Sequence, residues 1–97
     1  MLFRSPEGYR RNVEEFLSAF PDLTVTIEDS IVEGDKIAMR QRFRGTHEGG
    51  FMGIEPTGKR VESTSFVMCR IEGDKIAETW VETDVIGLLE QLGVEVP

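Results

Sequence analysis

The sequence holds a single cysteine, a single histidine, a single tryptophan and a single tyrosine in 97 residues, and these scarcities remove whole classes of function. Cys69 alone cannot close a disulfide within the chain; in its apolar strand pattern it reads as a packed thiol. One histidine and one cysteine supply no ligand cluster, and acids at strand spacing do not make a convincing magnesium site. The glycines neither follow a strand in G-x-G-x-x-G form nor precede a lysine of the P-loop kind, so neither a metal nor a cofactor is expected. Ser63 and Ser65 have no histidine at a readable distance, which leaves nucleophilic catalysis without support. No apolar run approaches the roughly 20 residues needed to cross a bilayer. Leu2 and Phe3 open the chain without the apolar region of a secretory leader, so the expected place is cytoplasmic. Basic side chains are also few. With 11 Lys and Arg against 18 Asp and Glu, a net charge of -7 opposes nucleic acid as a partner, because phosphate binding needs a basic surface.

What is present is the composition of a globular protein, 39% hydrophobic and 30% charged, long enough for one domain over residues 1–97 with one core. Ser5-Pro6-Glu7 reads as a helix start: a capping hydroxyl, a proline where no amide donor is needed, and an acid near the positive end. Tyr9, Val13, Phe16, Leu17 and Phe20 then share one helical face, and Pro21-Asp22 ends it. Strands are expected over Leu23 to Glu28, Asp35 to Thr46, Lys59 to Ile71 and Lys75 to Thr83, rich in Val, Ile, Thr, Phe and Trp. Val85 to Leu92 reads as a short amphipathic helix closed by Gly93. The hexapeptide EGDKIA occurs at Glu33 to Ala38 and at Glu72 to Ala77; its flanks diverge at once, so it predicts two similar hairpin turns and no duplicated fold.

Strand parity predicts which side chains share a wall. Ile37, Met39, Gln41, Phe43, Gly45 and His47 fall on one face, and Arg40, Arg42 and Arg44 on the other. In the last strand Ile76, Glu78, Trp80, Glu82 and Asp84 share a face. Either that face lines a partly polar cavity, or a bulge separates the acids from the tryptophan. Near the end of the third long strand Phe66 and Met68 oppose Val67, Cys69 and Ile71, so apolar groups point both ways. Two helices cover one face, and a second subunit is the economical cover for the other, a homodimer or higher homo-oligomer.

The segment Arg44 to Val61, RGTHEGGFMGIEPTGKRV, is the most informative. It leaves a strand at His47 and enters a long loop with Gly49, Gly50, Gly53, Pro56 and Gly58 that still carries Phe51, Met52 and Ile54. Loops of that length are functional or disordered, and the apolar side chains predict an ordered one. Together with Gly73-Asp74-Lys75-Ile76, Glu78, Trp80, Asp84, Gly87-Leu88-Leu89 and Gln91-Leu92-Gly93, this run resembles the SnoaL-like polyketide cyclase family from Pro6 onward, with one glycine more at Gly49-Gly50 and with Thr79 where the family commonly has histidine. The resemblance implies an α+β, NTF2-like cone: a curved antiparallel sheet around a pocket, with helices on its concave face. Family members usually begin with further helices ahead of the segment that starts at Pro6, so the resemblance implies here a cavity that is open, filled by a partner, or lost.

The resemblance further implies cofactor-independent acid/base chemistry on a small hydrophobic or aromatic carbonyl compound. Asp84 would be the acid/base of an intramolecular aldol ring closure, with His47 assisting. Desolvation in an apolar pocket is what would bring such a carboxyl toward working pH. Trp80 and Phe51 would form a flat wall for a planar ligand, with Glu78, Phe43 and Met39 as further lining. Asp84 also directly precedes the last helix, where its carboxylate would cap backbone amides. A binding protein without chemistry, or a purely structural oligomer, remains the alternative.

Overall fold

The computed structural model describes residues 1–95. Its elements run β1 (Leu2–Phe3), α1 (Pro6–Ala19), β2 (Thr24–Glu33), β3 (Lys36–Thr46), β4 (Arg60–Glu72), β5 (Lys75–Thr83) and α2 (Val85–Gln91). All strand pairs are antiparallel, in the order β1-β5-β4-β3-β2. The result is the expected α+β architecture, a curved sheet with both helices against its concave face.

Local chemistry sets the element ends. The Ser5 hydroxyl accepts from Gly8 N–H, and Pro6 opens α1 where no backbone donor is required. Phe20 N–H still reaches the Phe16 carbonyl at 2.8 Å before Pro21 stops the helix. The two EGDKIA segments form two-residue turns at Gly34-Asp35 and Gly73-Asp74. Each glycine has positive φ, 60° and 66°, the conformation that tight hairpins ask of their first turn residue.

Strand β2 runs five residues beyond its expected end at Glu28. A register shift between Ile27 and Asp29 interrupts the alternation there and turns Glu28 toward Arg40 and Arg42, 3.9 and 3.1 Å away. A reading by strict period two therefore loses the strand at that point.

The core lies between the concave face and the helices: Ala19, Phe20, Phe43, Phe51, Val61, Leu88 and Leu92, with Phe16, Leu23, Ile54 and Leu89 against it. The aromatic rings form one cluster. Phe16 meets Phe43 edge-on at 5.8 Å between centroids, and Phe51 lies 5.5 Å from both Phe16 and Phe20.

Asp22, just after α1, ties that helix to the end of β3. Its carboxylate accepts from Thr46 N–H at 2.6 Å and from the Thr46 hydroxyl at 2.7 Å. The backbone bond, then the hydroxyl bond, hold the Asp22 carboxyl below its ordinary value. A carboxyl depressed in the folded state adds stability above the ordinary carboxylate range and loses it as pH falls through the folded value. Urea melts of Asp22→Ala and the unsubstituted protein are thus expected to differ most at neutral pH and to converge as pH falls below the ordinary carboxylate range.

Candidate functional site on the concave face

Two hollows open on the concave side. The smaller, about 90 Å³, lies under α1 and is lined by Tyr9, Val13, Phe16, Phe43, Val67 and Val81, with Gln41, Ser65 and Thr83 as polar neighbours. The larger, about 720 Å³, spreads between the start of α1 and the start of β5, against Phe3, Pro6, Tyr9, Ile76 and Thr79. Tyr9 borders both. Burial, and to a smaller degree the nearby Cys69 thiol, push its phenol above its ordinary value. It is thereby kept as a neutral hydroxyl that can donate to a carbonyl oxygen.

The register decides which side chains face these hollows. Gln41 stands opposite Ser65, which stands opposite Thr83; Met39 stands opposite Val67, which stands opposite Val81. Met39 and Phe43 are therefore on the concave face, and Phe43 is buried in the aromatic cluster. Tyr9, Ser65 and Thr83 were not anticipated as lining residues. Parity placed Gln41 on the correct face, and Tyr9 carried the signal of a polar tip on an otherwise apolar helical stripe.

His47 is fully buried beneath the 47–59 loop, its ring 5.6 Å from that of Phe20. Thr57 N–H donates to Nδ1 at 3.1 Å, which puts the proton of the neutral ring on Nε2. Among the described residues Nε2 has no hydrogen-bond partner. The rest of the loop is fastened around it: His47 N–H donates to the Lys59 carbonyl and Gly58 N–H to the His47 carbonyl, both at 2.9 Å. His47 is absent from the residues that line either hollow.

Phe51 is the loop's anchor. It exchanges backbone hydrogen bonds with Ile54 across a turn whose central residues, Met52 and Gly53, both have positive φ. That turn drives the Phe51 ring down onto α1.

Asp84 sits at the N-cap of α2, where Oδ1 accepts from Gly87 N–H at 2.9 Å. Its own N–H donates to the Thr64 carbonyl at 3.0 Å, and its carbonyl accepts from Ser63 Oγ at 3.0 Å. The side chain is exposed.

Neither Trp80 nor Glu78 lines the smaller hollow, and of the two only Glu78 borders the larger, at the start of β5. Glu78, Trp80 and Glu82 do share a face, but it is the convex one, because Thr79 pairs with Cys69 and Val81 with Val67 on the concave side. The register shift that takes the partners of Arg70 and Ile71 from Glu78 to Ile76 detaches Ile76 from the acids. Glu78 instead accepts from Arg70 Nε at 2.6 Å. A wall shared by Trp80, Asp84 and His47 is not formed. Thr79, at the position where the resembling family commonly has histidine, is buried on the concave side. Among the described residues no three of His, Cys, Asp and Glu converge as metal ligands, and no helix is long and apolar enough to cross a membrane.

The sequence model of the SnoaL-like polyketide cyclases matches residues 1–92. This chain belongs to that family. Solved structures agree on the NTF2-like fold. IdmH of Streptomyces antibioticus, a proposed polyketide cyclase, is 40% identical with a TM-score of 0.80 over 94% of this chain and 66% of its own. TsrD of Streptomyces laurentii is 36% identical, TM-score 0.85, over 95% of this chain and 69% of that one. AclR of Streptomyces galilaeus, a proposed hydroxylase, is 35% identical, TM-score 0.84, over 96% of this chain. This SnoaL-like chain spans only 60% of the length of AclR. No curated protein matches it.

Proposed function

We propose that the chain, acting as one cytoplasmic SnoaL-like domain, is a cyclase-type enzyme that takes a small hydrophobic carbonyl compound into the concave hollow and closes a ring by acid/base chemistry without a cofactor. The observation that carries this reading is the hollow's chemistry. Its walls are apolar, and its polar neighbours are the neutral groups of Tyr9, Gln41, Ser65 and Thr83, which suit carbonyl oxygens and do not demand a charged ligand.

In the reaction, Asp84 takes the proton alpha to one carbonyl. The resulting enolate carbon bonds to a second carbonyl of the same molecule, and that carbonyl's oxygen takes up a proton to become a hydroxyl. Nothing is added or lost overall. The neutral Tyr9 hydroxyl is placed to hydrogen-bond the developing oxyanion, and His47 assists by fixing the loop that holds Phe51. For this, the Asp84 carboxylate exchanges its bond to Gly87 N–H for the substrate. A binding protein without turnover is the second reading; it is favoured by the absence of any carboxylate among the residues lining the smaller hollow.

The test uses a panel of aromatic β-diketones, with binding read by calorimetry and turnover by loss of enol absorbance. Asparagine also caps helices, so Asp84→Asn keeps α2. It is expected to lower turnover by about 100-fold or more while affinity stays within a few-fold. Unchanged turnover would reduce Asp84 to a cap. Binding of the diketones without turnover by the unsubstituted protein would establish the second reading.

A further inference from the structure

The two concave hollows differ greatly in size and share one residue. The smaller measures about 90 Å³ and the larger about 720 Å³, whereas sites that enclose a whole small molecule run to roughly 300–1,000 Å³. The smaller hollow therefore takes only part of a ligand. Tyr9 borders both, so a compound whose carbonyls lie against Gln41 and Ser65 continues past the Tyr9 ring into the larger hollow. What that hollow offers decides what the rest of the compound can be.

Its apolar lining is Phe3, Pro6, Ile76 and Ala77, with the Phe3 ring edge-on to Tyr9 at 5.7 Å. Two cations from different elements join it: Arg10, next to Tyr9 on α1, and Lys75, the first residue of β5. Among the described residues no ion pair takes up either one. Two carboxylates also border the hollow. Glu78 is already held by Arg70, whose Nε donates to it at 2.6 Å, and Asp74 lies in the exposed Gly73-Asp74 turn. With the Glu78–Arg70 pair set aside, the lining holds two unpaired cations against one acid.

That local excess runs against the rest of the molecule. A chain with a net charge of -7 repels anions in general, so an anion that binds here is held by these two side chains. Arginine and lysine donate hydrogen bonds and accept none, and a carboxylate accepts several at once. Tyr9 does not oppose it, because burial and, to a smaller degree, Cys69 keep its phenol uncharged.

We propose that the larger hollow binds the carboxylate of a hydrophobic keto acid between Arg10 and Lys75, while the compound's carbonyl end passes Tyr9 into the smaller hollow. The inference names the substrate class of the proposed cyclase and rests on that reading for the fate of the carbonyls; the affinity for the acid does not depend on turnover.

The test pairs an aryl β-diketone that carries a carboxylate on a short alkyl chain with its methyl ester, and reads affinity by calorimetry. At about 50 mM salt the acid is expected to bind about 10-fold tighter than the ester, and at about 500 mM the gap to narrow to about 2-fold. Arg10→Gln and Lys75→Gln are each expected to weaken the acid about 3-fold, and the two together to erase the preference, with the ester unchanged within about 2-fold. Asp74→Asn removes the competing acid and is expected to tighten binding of the keto acid by about 2-fold. Arg11→Gln makes the same change of charge on α1 at an exposed position that borders neither hollow, and is expected to alter neither affinity. An ester that binds as tightly as the acid, a preference that survives the double substitution, or an equal loss in Arg11→Gln would each overturn the proposal. Ring closure of neutral diketones with no gain from the carboxylate would overturn it and leave the cyclase standing. An acid held through Arg10 and Lys75 but never turned over would support it and replace the cyclase with a binding protein.

Discussion

Replacing Phe20 by alanine is expected to lower the unfolding free energy by about 3–5 kcal/mol, the usual cost of emptying a fully buried aromatic site. Phe20 is 0% exposed and stands where three parts of the chain meet. Its ring lies 6.5 Å from that of Phe16, 5.5 Å from Phe51 and 5.6 Å from His47. Its backbone closes α1, and a Cβ on Gly45 would come within 2.8 Å of the Phe20 Cβ, so β3 has given up a side chain to admit it. Little can move in to fill the space. Domains are stable by only about 5–15 kcal/mol, and about 4–8 °C of melting temperature goes with each kcal/mol at this size. Thermal circular dichroism should therefore show the midpoint fall by at least about 12 °C. Leu17→Ala, on the same helix but 42% exposed, is expected to cost about 1 kcal/mol or less. Equal effects of the two would mean that Phe20 is not the joint between helix, sheet and loop.

How far the fold can be read from the sequence follows from where each instruction resides. The Ser5-Pro6 start, the Pro21 stop and the two Gly-Asp turns rest on neighbours within four residues, and all of them form. Parity also grouped Glu78, Trp80 and Glu82 correctly. Which face of the sheet they join is not local: it depends on Val81 pairing with Val67 and Thr79 with Cys69, a register set by the β4–β5 turn and shifted once by a bulge. Tryptophan suits a planar ligand, but the backbone carries Trp80 to the convex face, opposite Met68. The burial of His47 was legible from its place in line with Phe43 and Gly45. Its bond from Thr57, ten residues on, was not, because a loop's path is fixed by what it packs against. Asp84 shows the limit from the other direction. Its position before Val85-Ile86-Gly87 states the cap plainly, and only a substrate can show whether the same carboxylate does more.

The paired glycines of the loop should separate by a large margin. Gly49→Ala is expected to destabilise by about 3 kcal/mol, at the upper end of ordinary overpacking. A Cβ on Gly49 would overlap the Ser18 carbonyl oxygen and lie 3.0 Å from the Ser18 carbonyl carbon and 3.1 Å from Ala19 Cα. These neighbours are backbone in the last turn of α1, so no flexible side-chain end can yield. The same approach lets Glu48 and Gly49 N–H both donate to the Ala19 carbonyl at 3.0 Å, and those bonds would be strained together. At Gly50 the nearest atom to such a Cβ is the Ile54 carbonyl oxygen, 3.9 Å away. Gly50→Ala is therefore expected to be neutral or to stabilise by about 0.5 kcal/mol through the unfolded chain. Urea melts of the two variants decide the matter, and equal costs would remove the close approach from the account. The consequence reaches the site. Gly49 seats the loop on α1, the loop sets Phe51 against Phe16, and Phe16 lines the smaller hollow. Gly49→Ala should therefore weaken diketone binding without touching a lining residue, whereas Gly50→Ala should leave it unchanged.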